Sequence, residues 1–166
     1  MDSKIQKITP NLWFDMNAEE AVDFYTSVFR NSKAGSKTYY THAGKEIHGI
    51  DAGKILTIEF QLEGQDFLAL NGGPTFQFTE AVSFIINCES QEEIDYYWTK
   101  LTQGGDEKAQ ECGWLKDRFG VSWQVVPIEL NEMLVNTEAE KAERVMGALL
   151  QMQKLDLAEL RRAYEG

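Results

Sequence analysis

Ala18-Glu-Glu-Ala-Val-Asp-Phe-Tyr25 and Gln91-Glu-Glu-Ile-Asp-Tyr-Tyr-Trp98 are two versions of one helix start, and their offset of 73 residues (91 minus 18) decides the fold. Each begins in a capping-box spacing, Asn17 with Glu20 and Ser90 with Glu93. In such a box the cap side chain accepts from the amide three residues on, and the glutamate reaches back. After the first box Ala21, Phe24, Tyr25, Val28 and Phe29 follow helical spacing to about residue 30. After the second the helix runs through Leu101, and Gly104-Gly105 closes it.

Outward from the first helix, residues 8 to 14 alternate, with Ile8, Leu12 and Phe14 on one face and Asn11 and Trp13 on the other, which predicts a strand. A strand around residues 35 to 41 and a glycine-rich connection from Ala43 to Lys54 follow the helix. Ile55 to Leu62 and Phe67 to Leu70 then flank Glu63-Gly64-Gln65-Asp66 as a hairpin. The order is βαβββ. Around the second helix it repeats, with strands at 82 to 88, near 107 to 112, at 114 to 116 and at 121 to 126, and a turn at Asp117-Arg118-Phe119-Gly120. The chain is therefore an internal duplication.

Pro127 ends the second module, because a proline cannot extend a central strand. Helices are predicted at Glu129 to Leu134, after the box Thr137-Glu-Ala-Glu140, and after the box Asp156-Leu-Ala-Glu159. Ala142, Val145, Met146, Leu149 and Met152 make one apolar stripe in this tail, and Leu157, Leu160 and Tyr164 another. Side chains of this kind stabilise by roughly 1.5 to 3 kcal/mol each when fully buried, so the stripes must cover something. The expectation is the interface of a homodimer, with the tail folded back on its own sheet as the competing arrangement. The domain reading is one body over residues 1 to 136, with modules at about 5 to 74 and 80 to 127. Residues 137 to 166 form an extension packed on that body or on the dimer partner.

A hydrophobic share of 43% and a charged share of 26% are ordinary globular values over 166 residues. A net charge of -11 without any Lys/Arg cluster repels phosphate backbones and anionic membranes, so neither is an expected partner. Met1-Asp2-Ser3-Lys4 leads into a strand without an apolar leader or a spanning run, which points to the cytoplasm. Cys88 and Cys112 are too few for a disulfide framework and lack metal-site spacing.

Paired βαβββ units with Phe24-Tyr25 on the first helix, and a close of Asp117-x-x-Gly120-x-x-Trp123-Gln124, resemble the vicinal oxygen chelate (glyoxalase/bleomycin resistance/dioxygenase) superfamily. Within it the chain is similar to the PhnB-like branch, often labelled 3-demethylubiquinone-9 3-methyltransferase. Leu12-Trp-Phe14, Glu20-Ala21, Ala69-Leu-Asn-Gly-Gly-Pro74, Cys112-Gly-Trp-Leu-Lys-Asp117, Phe119-Gly120 and Ser122-Trp-Gln124 carry that likeness, which reaches Arg144-Val-Met146 and Met152 in the tail. The resemblance implies an α+β fold in which two βαβββ modules form curved mixed sheets round a cavity, plus a C-terminal helical tail. It also implies pairing of modules within or between chains.

In metal-dependent members of that superfamily four positions aim His, Gln or Glu into the cavity, where a divalent ion acts as Lewis acid on two neighbouring substrate oxygens. Carried over, they fall in Thr9 to Asn11, in Phe67 to Asn71, at about Ser83 and at Gln124. Only Gln124 is a ligand type, and with Asn11 and Asn71 it makes three neutral groups that bind a divalent cation weakly. No metal and no other cofactor is expected.

Strand alternation puts Asn11, Trp13, Phe67, Ala69, Asn71, Ser83 and Gln124 on the cavity side, opposite Leu12, Phe14, Leu68 and Leu70. A slip of one residue would turn the whole set over. Trp114 stands at the hairpin entrance, and His48 joins the set if its loop folds over the cavity, the alternative being that His42 and His48 are exposed loop residues. If Gln124 faces the cavity, Trp123 faces the helices, and Trp98 is core. Of Lys116 and Asp117 at most one can face a ligand, and Asp117 suits a bond to the Phe119 or Gly120 amide.

Aromatic walls with a few amides suit a flat or apolar organic ligand. Binding of such a small molecule by a homodimer, with or without a metal-independent conversion, is the preferred reading. A weakly metal-dependent lyase, isomerase or dioxygenase-like enzyme, and an interaction module using the tail, remain beside it. Gly72-Gly73 precedes a strand and Gly104-Gly105 ends a helix, so neither suits the cofactor of a methyltransferase. Nucleophile-elbow, zinc-protease and P-loop motifs are absent from the sequence.

Overall fold

The computed structural model describes residues 5–135 and 137–166. Met1 to Lys4, read above as leading into the first strand, and Asn136, the expected boundary of the body, lie outside the described residues. The elements run β1 (Asn11–Phe14), α1 (Ala18–Val28), β2 (Ser32–Tyr39), α2 (Lys45–His48), β3 (Ile55–Leu62), β4 (Gln65–Asn71), β5 (Ser83–Cys88) and α3 (Gln91–Leu101). Then come β6 (Trp114–Lys116), β7 (Ser122–Pro127), α4 (Glu129–Leu134), α5 (Ala139–Leu149) and α6 (Leu157–Glu165). This is a mixed α+β chain, and it divides into two compact units between Gln77 and Phe78.

In the first unit the sheet order is β1-β4-β3-β2, with β1 parallel to β4 and the other pairs antiparallel. The β3–β4 register of Leu62 with Gln65 leaves Glu63 and Gly64 as a two-residue turn, both at positive φ (46° and 81°). Hairpin turns of that kind match the twist of the flanking strands. Helix α1 buries Ala21, Val22, Phe24, Tyr25 and Val28 against one side of this sheet. There Tyr25 stacks on Phe60 at 6.3 Å, and Phe60 on Phe67 at 5.2 Å.

The predicted Asn17 cap is not formed: its side chain makes no capping bond. Instead the Ala18 amide donates to Asn71 Oδ1 at 2.9 Å, so α1 is capped from the end of β4. At α3 the box is present in shifted form. Ser90 Oγ accepts from the Glu93 amide at 3.3 Å, while Glu93 Oε2 takes the Glu89 amide at 2.8 Å.

The second sheet has the order β5-β7-β6, β5 parallel and β6 antiparallel to β7. A strand was expected near residues 107 to 112, but a 3-10 turn stands at Glu107–Ala109, capped by Asp106 on the Lys108 amide at 2.9 Å. Only Glu111 makes a bridge, to Trp114. The physical reason lies in the tail. Cys112 and Gly113 adopt left-handed backbone (φ 52° and 84°) and donate their amides to Met152 O at 2.8 Å and Gln153 O at 2.7 Å. The bonds of a fourth strand are thus made to the chain that links α5 to α6.

The expected Thr137 box is replaced by Glu138 at the start of α5 without a side-chain cap, while Asp156 caps α6 through the Glu159 amide at 2.9 Å. Part of each apolar stripe of the tail is buried within its own unit, while Met146 stays 40% exposed. Val145, Met152, Leu155 and Leu160 share one core cluster with Leu130 and Met133 of α4, and Val126, Leu149 and Tyr164 pack against it. Polar bonds hold the tail as well: Gln91 of α3 donates to Leu155 O and accepts from the Leu157 amide, and Lys154 pairs with Asp95. Among the described residues no helix is long and apolar enough to cross a membrane.

Candidate functional site

In the first unit the β1–β4 register pairs Asn11 with Leu68, Leu12 with Ala69, Trp13 with Leu70 and Phe14 with Asn71. Leu12, Phe14, Phe67, Ala69 and Asn71 are all buried, which puts them together beneath α1. Asn11, Trp13, Leu68 and Leu70 therefore share the other face, because alternate residues point to opposite sides. This corrects the expected facing of β4. Phe67, Ala69 and Asn71 turn toward the helix, and Leu68 and Leu70 join Asn11 and Trp13. The apolar residues on both faces of β4 hide the sign of its alternation, and Asn71 is inside because it caps α1.

Trp13 is fixed on that second face. Its Nε1 donates to Gly73 O at 2.9 Å, and its ring meets Phe76 edge-on at 4.9 Å. The ring also occupies the place of a side chain at Gly72, where an added Cβ would lie 2.2 Å from Trp13 Cζ2. Replacing Gly72 with alanine is therefore expected to expel the indole, break its bond to Gly73 and cost about 1 to 3 kcal/mol, the usual range for overpacking. A red-shifted tryptophan emission with a lowered urea midpoint is the expected result; unchanged emission would refute this packing.

Beside Trp13's strand the same face carries an open groove of about 580 Å³, lined among others by Lys33, Glu59, Gln61, Asp66 and Leu68. His48 does not stand in this groove. It ends α2, accepts from the Ile50 amide at 3.0 Å and packs against the Tyr40 ring at 4.7 Å. Tyr40 in turn donates from its hydroxyl to Asn71 O at 2.5 Å.

In the second unit Ile86, Cys88, Leu115, Trp123 and Val125 form the buried side of the sheet with Ile94, Trp98 and Leu101 of α3. Trp123 and Trp98 thus lie where the sequence reading puts them. The opposite face holds two rows read from the register. One is Ser83, Ser122 and Lys116; the other is Ile85, Gln124 and Trp114. Ser83, Trp114 and Gln124 are brought together here, and Gln124 Nε2 donates to Ser83 Oγ at 2.8 Å. Of the pair Lys116 and Asp117, it is Lys116 that shares this face, while Ser122 and Ile85 are not singled out by sequence reasoning, although the alternation that selects Gln124 selects them too.

Asp117, adjacent to Lys116, is buried on the other side. Its Oδ1 accepts from the Phe119 amide at 2.8 Å and the Val121 amide at 3.0 Å, and its Oδ2 accepts from Trp123 Nε1 at 2.8 Å. Lys116 Nζ lies 2.5 Å from Glu80 Oε1, and that bond holds the Glu80 carboxyl below the usual range. Burial pushes the Cys88 thiol up to about 12, so it stays protonated at neutral pH and is no nucleophile.

Two of the positions that the resemblance assigns to metal ligands are already engaged in hydrogen bonds within the chain. Asn71 spends its amide on α1 and, at 3.1 Å, on Ile55 O, and it points into the helix-covered core. Gln124 is engaged with Ser83. Among the described residues no three His, Cys, Asp or Glu side chains are placed to hold an ion.

The sequence model of one family, described as 3-demethylubiquinone-9 3-methyltransferase, matches residues 6–126. Among solved structures the PhnB protein from Bacillus cereus is similar at 37% identity with a TM-score of 0.61, over 74% of this chain and 99% of that one. Protein PA1353 from Pseudomonas aeruginosa is 21% identical with a TM-score of 0.51, over 74% of this chain and 98% of that one, a likeness of fold alone. A search of curated proteins returns no match.

Proposed function

The chain belongs to the family described as 3-demethylubiquinone-9 3-methyltransferase, and from that premise, together with the resemblance to the vicinal oxygen chelate superfamily, we propose that it binds a small organic molecule without a metal ion. The sheet faces turned away from α1 and α3 are the proposed binding surfaces. The observation that carries this reading is the juxtaposition of Trp114, Ile85 and Gln124 in one row beside Ser83. An aromatic ring, an aliphatic side chain and a few polar groups are what small-molecule sites are made of. Trp13, Leu68 and Leu70 give the first unit a face of similar character.

Methyl transfer, as in the family's description, would require S-adenosylmethionine on a glycine-rich turn that leads from a strand into a helix. Gly72 and Gly73 follow β4, but the Trp13 ring fills the space over Gly72. Gly104 and Gly105 follow α3, and a Cβ at Gly105 would lie 2.1 Å from Lys116 O. Neither turn fits that cofactor.

Titration of planar aromatic compounds against tryptophan emission tests the proposal, using the full chain and the variants Trp13→Phe and Trp114→Phe. A saturable quench that one of these variants removes, and that survives EDTA, is expected. Loss of binding on chelation, restored by Mn(II), would favour the metal-dependent enzyme instead.

A homodimer in the cytoplasm belongs to the same proposal. Phe76, Ile128 and Leu150 are exposed apolar side chains that association would cover, and Cys88 and Cys112 are free thiols. Sedimentation is expected to give a dimer at micromolar concentration, and a monomer would refute it.

A further inference from the structure

Resting on the reading of the second unit as a small-molecule site, we propose that this face takes an organic acid: its anionic head sits on Lys116, Ser122 and Ser83, and its apolar body lies along Ile85 and Trp114.

The register sets Ser83 opposite Ser122 and Ser122 opposite Lys116, one continuous row across three strands without a shift. Side chains directly opposite in an antiparallel pair stand roughly 5 Å apart at Cβ, so a single carboxylate spans Ser122 and Lys116. Ser122 is 2% exposed, and its Oγ has no hydrogen-bond partner among the described residues. Its neighbour Trp123 packs with Phe84 on the α3 side, so Ser122 points to the other face with Gln124. Buried hydroxyls are almost always bonded, so the Ser122 hydroxyl has a hydrogen bond to give that no described residue takes.

The row is a row of donors. Ser83 Oγ accepts from Gln124, which leaves its own hydrogen to give. Lys116 is the only charged side chain among the strand residues of this face, and it is cationic in a chain of net charge -11. Its ammonium already holds an acid, the Glu80 carboxylate, at 2.5 Å. The Glu80 side chain is 59% exposed against 23% for Lys116, so the glutamate is the partner that can swing into water. Exposed ion pairs contribute little, and exchange of Glu80 for a ligand carboxylate costs little. In the second row Ile85 and Trp114, on either side of Gln124, supply the apolar bed at the distance of one β-strand pleat.

The test compares 2-naphthoate with 2-naphthamide, the same body with and without charge, binding to the full chain by tryptophan quench and by amide shifts of Ser83, Ser122 and Gln124. The acid is expected to bind at least tenfold tighter. Lys116→Met should bring the two compounds to equal affinity without weakening the amide, whose retained binding reports an intact face. Glu80→Gln should strengthen the acid severalfold. Ser122→Ala should weaken the acid severalfold while the ligand-free protein keeps or gains thermal stability, since the variant removes an unpaired hydroxyl. A structural serine would instead lose stability. Equal binding of acid and amide to the unsubstituted chain would overturn the acid-site proposal and leave small-molecule binding standing. Failure of both compounds to bind would overturn both.

Discussion

Replacing Asp117 with alanine is expected to lower the stability of the folded chain by about 4 kcal/mol, because each buried donor left without its acceptor costs roughly 1 to 3 kcal/mol. Three donors depend on this carboxylate: the amides of Phe119 and Val121 on Oδ1, and the Trp123 indole on Oδ2. Asp117 is 2% exposed and Trp123 3% exposed, so water cannot replace the lost bonds without opening the core. Asparagine separates the two sides of the carboxylate. Its carbonyl can keep both amides, but its NH2 then meets the indole N–H, donor against donor, and a loss of about 2 kcal/mol is expected. Urea unfolding measures both variants. A loss below 1 kcal/mol for alanine would show that the turn from Lys116 to Val121 is held by its backbone alone. The carboxylate also ties the strand that presents Lys116 to the strand that presents Ser122 and Gln124, so both variants should weaken ligand binding along with stability.

Leu155→Ala carries the second large effect, about 3 kcal/mol, within the range for deleting a buried leucine side chain. Leu155 is fully buried in the cluster of Leu130, Met133, Val145 and Leu160, and its Cδ1 lies 3.1 Å from the ideal Cβ position of Gly113. No side chain at Gly113 can move in to fill the cavity. For a chain of this size the loss corresponds to roughly 10 °C in Tm. The concentration dependence of that shift distinguishes the two roles considered for the tail. If the stripes are the core of their own unit, the shift is the same at 1 and 100 μM protein. If they cover a partner, Tm rises with concentration and the variant changes that slope.

The two units differ in how plainly their strands show which side faces inward. Strand alternation picks out Ser83 and Gln124, and they share a face with Trp114 of the hairpin entrance, because β5 and β7 bury one clear set of side chains, Ile86, Cys88, Trp123 and Val125. On β4 the run Phe67-Leu-Ala-Leu70 is apolar on both faces, so hydrophobicity carries no facing information. Only the pairing of Phe14 with Asn71, and the capping of Ala18 by that asparagine, settle which side is in.

From the order of residues alone came the duplication, the alternation of strands and helices, and the amphipathic tail, since periodicity and capping spacings are local properties of the chain. Three things were decided only by tertiary structure. Asn71 displaced Asn17 as the cap of α1, because a side chain 53 residues away reached the Ala18 amide first. The link between α5 and α6 took the backbone bonds of Cys112 and Gly113, so the second sheet stops at three strands. And Lys116, Ser122 and Ser83 became one row, because strand register is a long-range choice that packing makes and no short window of sequence contains.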